Sequence, residues 1–349
     1  MKKTLNKTKI ADFATYIGVV IAFIVMNVLM NEGLLTRSMK GQLVPICCYI
    51  VMAISLNLTV GILGELSLGH AGFMSVGAFT GIVTAMSLQS AVPSDGVRLA
   101  LAIVMGAIFA GIAGTLVGIP VLRLHGDYLA IVTLAFGEII KELINCLIIG
   151  HDENGLHIIF NATGAKTVTD LGLTETGKVL IKGAQGATGT DTIASFTAGF
   201  VLIMITLVVV LNLVRSRSGR AIMALRDNRI AAESVGINVT KYKLMAFVTS
   251  AALAGGAGAL YGLNFSNLVS SKFDFNTSIL ILVFVVLGGL GNMWGSIIAA
   301  AVLTVLPEAL RGFADYRMLI YAIVLIVVML ATNSPQMKAL LSKLVPFGK

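Results

Sequence analysis

Few ionisable side chains interrupt the long apolar runs of this chain, and those few are the first candidates for chemistry. Glu65 and His70 lie in a glycine-rich apolar stretch, and Glu138 and Lys141 lie in a later run. Charged groups at membrane depth are costly, so they are functional candidates by default. Lys141 follows Glu138 by three residues, which lets the two charges neutralise each other on one helix face. A lone histidine in such a place is more often packed and hydrogen-bonded than part of a proton relay.

Basic residues are concentrated in one polar stretch, Arg215–Lys243, between two apolar runs. Such a loop either only fixes membrane orientation or forms a compact element that fits a groove on a cytoplasmic partner. Ser218 and Asp227 are predicted to cap two short helices, over 219–226 and 228–235, and Gly236 to end the second. The two capped helices favour the docking element, because orientation alone requires none.

Two glycine-rich stretches, Gly61–Phe79 and Val286–Ala300, break the helical pattern. Irregular backbone at membrane depth is tolerated where it is buried or lines a cavity, and broken helices often form transport sites. Close helix crossing also requires glycine, so both interpretations stay open. The residues that we predict along a translocation path are Glu65, Ser67, Gly69, His70, Glu138, Gly288, Gly289 and Gly291.

The overall composition indicates the solvent in which the chain folds. Its mean hydropathy is +0.93, with 57% hydrophobic and 12% charged residues, whereas about 25% are charged in a soluble domain. Apolar runs of about 20 residues are typical of transmembrane helices, and they are too long and continuous for the strands of a barrel. We therefore expect an all-α polytopic membrane protein, with residues 1–349 forming a single transmembrane domain.

The apolar runs predict about ten transmembrane helices with both termini in the cytoplasm. In this topology, lysine and arginine are enriched on the cytoplasmic side, as in other membrane proteins. Nine spans would move the three C-terminal lysines outside, so residues 276–309 are better divided into two spans than kept as one. The first run is longer than a signal-peptide core and lacks a small-residue cleavage site, so it is predicted as a retained span. The predicted spans are 12–30, 43–63, 67–89, 98–120, 128–149, 192–214, 244–263, 276–288, 293–309 and 317–332.

The topology leaves two long connections on opposite faces. Residues 150–191, rich in glycine and threonine, are predicted to lie outside, and residues 215–243 inside. Connections of this length are usually functional or disordered. The outer one is either a flexible tether or a docking surface.

Small residues at four-residue spacing predict where helices cross. They let backbones approach closely in lipid, where there is no hydrophobic drive for association. These rows are Gly106, Ala110, Gly114 and Gly118 in the fourth span, and Ala254, Gly258 and Gly262 in the seventh.

No enzymatic machinery is recognisable in the sequence. It contains no phosphate-binding G-x-x-x-x-G-K-[ST] motif, no nucleophile elbow and no zinc motif. Cys47, Cys48 and Cys146 lack metal-like spacing and are predicted to be buried small hydrophobes. We expect neither a metal nor a cofactor, and the net charge of +8 is explained by membrane orientation rather than by nucleic-acid binding.

Four stretches together resemble one family. They are "LNLTVGILGELSLGHAGFMSVGAF" (56–79), "GDYLAIVTLAFGEII" (126–140), "SRSGRAIMALRDNRIAAESVGIN" (216–238) and "VLGGLGNMWGSIIAA" (286–300). In this order they are similar to the LivM-type permease subunits of bacterial ABC importers for branched-chain amino acids. The resemblance covers about residues 45–330. The glycine-rich motif expected after the fifth span is reduced here to "ENGL" (153–156).

The resemblance implies an importer of several chains in the bacterial cytoplasmic membrane. Its partners would be a second, LivH-type permease, two cytoplasmic ATPases and an extracytoplasmic solute-binding protein. The basic stretch would be the element that couples the permease to an ATPase, although the family's downstream Leu-Pro is absent. The resemblance implies Ala231, Ala232, Glu233 and Gly236 as coupling residues, and we predict that Arg220 and Arg226 beside them pair with acids at the rim of the groove.

Two other classes remain open at this stage. Related ABC permeases carry urea, short amides, sugars or nucleosides and share the glycine-rich stretches. A secondary transporter or channel would need no ATPase, but the coupling-like stretch and the scarcity of internal acids disfavour it.

Overall fold

A computed structural model describes residues 2–33, 36–124, 126–153, 155–161, 168–173 and 177–310, together with single helical positions between 319 and 326. For residues 2–12 it describes the backbone alone. Apart from those single positions, the predicted tenth span, 317–332, and the carboxyl terminus lie outside the described residues.

Helices dominate the described chain, and each of the first nine predicted spans overlaps a helix. Among the described residues, six helical stretches are long and apolar enough to cross a membrane, and α11 is a shorter apolar helix. The α-helical, polytopic membrane architecture is therefore confirmed. The α-helices are α1 Lys2–Asn31, α2 Arg37–Asn57, α3 His70–Ser87, α4 Asp95–Val121, α5 Asp127–Asn145, α6 Phe196–Arg215, α7 Arg217–Asp227, α8 Arg229–Ser234, α9 Val239–Gly262, α10 Phe275–Gly288 and α11 Met293–Ala309. Short 3-10 turns cover Val168–Leu171, Gly183–Gln185 and Ser270–Phe273.

The centre of the bundle is the crossing of α3, α4 and α9, where backbones touch. A Cβ added at Gly106 of α4 would lie 3.0 Å from the Gly77 carbonyl of α3 and 3.1 Å from the Gly255 carbonyl of α9. Gly258 of α9 abuts the Met74 carbonyl in the same way. The predicted rows of small residues are thus the contact faces of these helices.

α2 is the most enclosed helix, and it ends in an unusual turn. Almost every side chain from Leu43 to Asn57 is buried. The helix then widens into a π-helix, Leu58–Leu63, and stops at Gly64, which has a φ of +80°. Left-handed backbone of this kind favours glycine. The hydrophobic pattern predicts a helix here but cannot distinguish a π-turn from an α-turn.

The glycine-rich segment at 286–300 forms two helices rather than one. α10 ends at Gly288, and α11 begins after a turn in which Gly289 and Gly291 have φ values of +92° and +82°. Asn292 caps α11. The division of residues 276–309 into two helices is confirmed.

A small antiparallel sheet is the main feature that sequence analysis missed. Its strands are β1 Leu147–Asp152, β2 Gly155–Phe160, β3 Lys178–Lys182, β4 Ala187–Thr188 and β5 Asn267–Leu268, in the order β2-β1-β3-β4-β5. The predicted fifth span, 128–149, is therefore wrong at its end, because α5 stops at Asn145 and the apolar Leu-Ile-Ile that follows begins β1. Most of the described residues of the 150–191 connection belong to strands or short turns.

The elements outside the bundle gather at its two ends. The loop end comprises 61–69, 215–243 and 289–292, joined by a hydrogen bond from Arg226 to the Gly61 carbonyl. The sheet end comprises 88–95, 264–274 and the described residues of 147–191. It is joined by a hydrogen bond from Gln89 to Asp191 and by backbone pairing of β4 with β5.

Candidate coupling and translocation sites

The polar stretch contains the two short helices that were predicted, but they begin at other caps. The Ser216 hydroxyl and the Asn228 side-chain oxygen each accept the N–H three residues ahead, both at 3.1 Å. The predicted caps Ser218 and Asp227 are wrong, because Ser218 already lies inside α7 and Asp227 is its last residue. Both observed caps have extended backbone, which is what an N-cap requires. Composition alone could not choose between adjacent polar residues.

Gly236 ends α8, as predicted. Its φ is +83°, and its N–H donates to the Glu233 carbonyl at 3.0 Å. The N–H of Ile237 then donates to the Ala232 carbonyl at 3.1 Å. These two bonds around a left-handed glycine form a typical C-terminal helix stop.

The exposed surface of α8 differs from the one implied by the family resemblance. Ala232 is buried against Leu225 and Val239, so it supports α8 from within the chain. Ile230 and Val235 are 80% and 75% exposed, and sequence analysis did not single them out. The sequence signal that could have identified them is the presence of two large apolar residues near the ends of a short polar helix. The docking face is defined as Ile230, Ala231, Glu233, Val235 and Gly236, all of which are exposed.

The two predicted coupling arginines of α7 behave differently. Arg220 is exposed and donates to the Arg215 carbonyl at 3.3 Å, within its own segment. The guanidinium of Arg226 instead donates to the Gly61 carbonyl, at 2.6 Å. Arg226 therefore contacts the membrane bundle rather than standing free on the docking face.

Glu65 has a specific partner at the loop end. Its carboxylate forms an ion pair with Lys243, in the second turn of α9. The Lys243 side chain is 4% exposed and that of Glu65 is 16% exposed. An ion pair this enclosed neutralises a charge that the sequence had suggested for the translocation path.

Asn57 is a buried polar residue that sequence analysis missed. Its side-chain oxygen accepts the Gly291 N–H at 2.8 Å, and its amide donates to the Ser296 hydroxyl at 2.9 Å. It thus joins the end of α2 to the turn between α10 and α11. Its position inside a long apolar run could have predicted that it is buried. A buried side-chain amide requires hydrogen-bond partners, so a contact to another helix was to be expected.

Comparison with known proteins identifies the family of the chain. The family described as "Branched-chain amino acid transport system / permease component" matches residues 38–330. The chain belongs to this family of transport permeases. It is a multi-pass protein of the cytoplasmic membrane, and the family is not one of enzymes.

Individual relatives differ in how much of the permease they match. The high-affinity branched-chain amino acid transport system permease protein LivM of Escherichia coli is 35% identical over 288 residues, 81% of this chain and 66% of that protein. The chain thus spans slightly less than two thirds of that relative's length. The LivH permease of Salmonella typhimurium is 22% identical over 81% of this chain and 88% of its own length. The ribose import permease RbsC of Haemophilus influenzae is 32% identical over 33% of this chain and 38% of its own. No solved structure matches the chain.

In the permease, the predicted path residues before α3 are tightly enclosed. The His70 ring lies 2.8 Å from the Ser55 hydroxyl and is 2% exposed, so it is a packed, hydrogen-bonded histidine in this structure. Ser67 is equally buried. A Cβ at Gly69 would overlap the Thr133 carbonyl of α5.

Glycine at the α10–α11 turn has two uses in the permease. A Cβ at Gly288 would overlap the backbone of Ser296, so this glycine permits a close helix crossing. Gly289 and Gly291 instead provide left-handed turns, and Gly291 is exposed at the loop end. Close helix crossing therefore accounts for Gly69 and Gly288, while Gly291 borders the contact with Arg226.

α5 carries the remaining predicted charge. Lys141 forms an ion pair with Glu138, as the three-residue spacing predicted, and lies 3.9 Å from Glu142. The Glu138 side chain is 37% exposed. The helix also presents an apolar face that nothing in the described chain covers, formed by Tyr128, Ile131, Ile139 and Leu143.

Proposed function

We propose that this permease is the membrane-spanning subunit of an ABC importer that moves branched-chain amino acids across the bacterial cytoplasmic membrane. The docking face carries the proposal. Ile230 and Val235 are large apolar side chains that are exposed in a polar stretch, and a partner that covered them would remove them from water. Membership of a family of transport permeases supports a role in uptake.

The docking face has the shape and chemistry to fit a groove on an ATPase. Ala231 and Gly236 are small enough to let α8 lie deep, and Glu233 and Arg220 can pair with charged groups at the rim. Burying Ile230 and Val235 would contribute about 1.5–3 kcal/mol each. Ala232 holds the helix in place by packing against the permease itself.

We propose ten spans with both termini in the cytoplasm, which makes the loop end cytoplasmic and the sheet end external. The basic residues of 215–243 support this orientation. Cysteine labelling in a cysteine-free background tests it. A cysteine placed at Lys178 should react from outside and one at Arg217 from inside, and the reverse pattern would overturn the topology.

The external partners follow from the same orientation. The sheet end would receive the solute-binding protein. The second, LivH-type permease would cover the exposed face of α5, because Glu138 and Lys141 would be costly against lipid. The exposed face of α5 and the corresponding face of the second permease would together enclose the translocation path. Rigid-body movement of the two permeases would open this path to each side of the membrane in turn.

The low polarity of the bundle and the family of the chain support branched-chain amino acids as the cargo. A branched aliphatic side chain requires an apolar path, and the titratable path residues Glu65 and Glu138 are each paired with a lysine. Selectivity would then lie largely in the binding protein. The main alternative is a related ABC permease for sugars, urea, amides or nucleosides, which the partial match to the ribose permease keeps open. A secondary transporter is the other alternative, and it predicts uptake without ATP.

Reconstitution decides between these functions. The permease, its second permease and both ATPases are assembled in vesicles with the cognate binding protein. Leucine, ribose and urea are then supplied separately, with and without ATP. ATP-dependent accumulation of leucine alone is the expected result. Accumulation of ribose or urea but not leucine overturns the cargo, and uptake without ATP overturns the importer.

A further inference from the structure

Two basic side chains tie the polar stretch to one short segment of the bundle. From α7, Arg226 reaches the Gly61 carbonyl, and from α9, Lys243 reaches Glu65. The two contacted residues lie four apart in the sequence, on either side of the point where the π-helix ends. The polar stretch is therefore fastened to the end of α2 at two points, one before and one after α8.

The Gly61 carbonyl is a suitable acceptor for a cation. It is among the last carbonyls of the π-helix, where intrahelical donors run out, and the N–H of Glu65 is directed to Thr59 instead. The end of a helix also carries partial negative charge. A guanidinium at this position makes a charge-assisted hydrogen bond, which is stronger than a neutral one.

Glycines bring three elements together around the Arg226 side chain. A Cβ at Gly64 would lie 2.9 Å from Cγ of Arg226, and one at Gly291 would lie 3.8 Å from its Nη1. Gly61 has no room for a Cβ, because Asn57 and the Gly291 backbone occupy that space. The guanidinium therefore lies where α7, the π-helix and the α10–α11 turn meet.

We propose that Arg226 is a positioning residue that transmits movement of the polar stretch to the π-helix and to the turn at 289–292, with the Lys243–Glu65 pair as a second tether. Arg226 contacts neither cargo nor nucleotide; it acts through the Gly61 carbonyl. When an ATPase displaces α7 and α8, the two tethers carry the inner end of α2 with them, and Asn57 carries the α10–α11 turn. This inference rests on the proposed importer function.

The local backbone suits a segment that changes conformation. π-turns recur at functional sites, and left-handed glycines at 64, 289 and 291 let the chain change direction without a steric penalty. Asn57 joins the end of α2 to the α10–α11 turn by a single side chain. The π-helix and the α10–α11 turn can therefore shift together while the crossing of α3, α4 and α9 stays packed.

The ratio of transported cargo to hydrolysed ATP measures this role. Arg226→Gln, Arg226→Lys and Arg217→Gln are assembled with the partner subunits, and uptake and hydrolysis are measured in the same vesicles. Arg226→Gln should lower the ratio about tenfold, because it loses the charged hydrogen bond, while ATPase binding is retained. Arg226→Lys keeps one charged donor and should recover most of the ratio. Arg217→Gln removes the same charge from the other end of α7 and should match the wild type.

Two outcomes overturn the inference. One is an unchanged ratio in Arg226→Gln; the other is a parallel fall of uptake and hydrolysis with loss of the ATPase, which would make Arg226 a docking residue. If Arg226→Gln does not assemble, the same measurement is made on the double variant Glu65→Gln with Lys243→Met, which removes the second tether. A wild-type ratio of uptake to hydrolysis in that variant would also contradict the inference. A different result would contradict the proposed function: vesicles with the wild-type permease would show no ATP-driven uptake.

Discussion

The two ends of the permease are held together by different kinds of bonds. At the sheet end, the connection between α5 and α6 and that between α9 and α10 pair through backbone hydrogen bonds, with β4 beside β5. At the loop end, the corresponding links are side chains: Arg226, Lys243 and Asn57. A ladder of backbone bonds must break cooperatively, whereas a side chain can release or exchange one partner at a time.

This difference assigns a mechanical role to each end. The sheet fixes the spacing of the helix ends that it joins, so it acts as a frame. The loop end is instead linked through glycine turns and single side-chain bonds, so its segments can move relative to one another more readily than paired strands can. We therefore expect variants at the loop end to affect coupling and variants at the sheet end to affect only stability.

The largest effect should come from Lys243→Met. It leaves Glu65 charged and enclosed, and loss of one partner of a buried pair costs about 3–5 kcal/mol. Thermal unfolding of the purified permease in detergent measures the loss. Adding Glu65→Gln should restore most of the stability, because no unpaired charge remains. Equal stability of Lys243→Met and the wild type would mean that the pair is hydrated and is not a tether.

A smaller effect is expected at the docking face. Ile230→Asp and Val235→Asp should each weaken ATPase association by about tenfold or more, since each removes an apolar contact of about 1.5–3 kcal/mol. The permease alone should unfold as the wild type does, because both side chains are exposed. Ile158→Asp at the sheet end, where Ile158 is 61% exposed, is the matched control and should leave ATPase association unchanged. Pull-down from detergent measures all three, and an equal loss in the control would remove the distinction between the ends.

The ion pair on α5 provides a graded comparison with the one at the loop end. Glu138 and Lys141 are neighbours on one helix, and Glu138 is partly exposed, so Lys141→Met should cost only about 1 kcal/mol. The double variant Glu138→Gln with Lys141→Met should be less impaired than the single one. Yield and thermal unfolding supply the measurement. A loss as large as that of Lys243→Met would show that both pairs are equally enclosed in the assembled importer.

The smallest effect is expected from Asp191→Asn at the sheet end. Asp191 lies 3.4 Å from Arg98, which also pairs with Asp95 and so keeps a partner. Because Asp191 is 38% exposed, we expect a loss of about 0.5 kcal/mol in unfolding free energy. The uptake-to-ATP ratio should stay at the wild-type value, and a lower ratio would mean that the sheet end also takes part in coupling.

Local patterns predicted the parts of this fold that depend on local sequence. Hydropathy located nine helices, and glycine spacing located the crossing of α4 with α9. The helix stop at Gly236 was predicted because only glycine readily adopts its backbone conformation. The i, i+3 spacing likewise predicted the pairing of Lys141 with Glu138.

Long-range contacts are what the sequence could not reveal. Strand β5 has two residues, and its partner β4 lies in another connection, so neither shows a strand pattern. Arg226 meets Gly61 across 165 positions of sequence, and nothing local separates it from Arg220. The burial of Ala232 depends on Leu225 and Val239, which meet only once α7 and α9 have packed.

The pairing of β4 with β5 also has a consequence for how the chain is made. Ala187 pairs with Leu268, and at 5–20 residues per second the ribosome needs about 4–16 s to synthesise the roughly 80 residues between them. During that interval the first four strands have already been synthesised, but the edge of β4 that pairs with β5 has no partner strand. In the proposed topology, β5 reaches the outer side only after α6 and α9 have been inserted, so the sheet is completed after those helices.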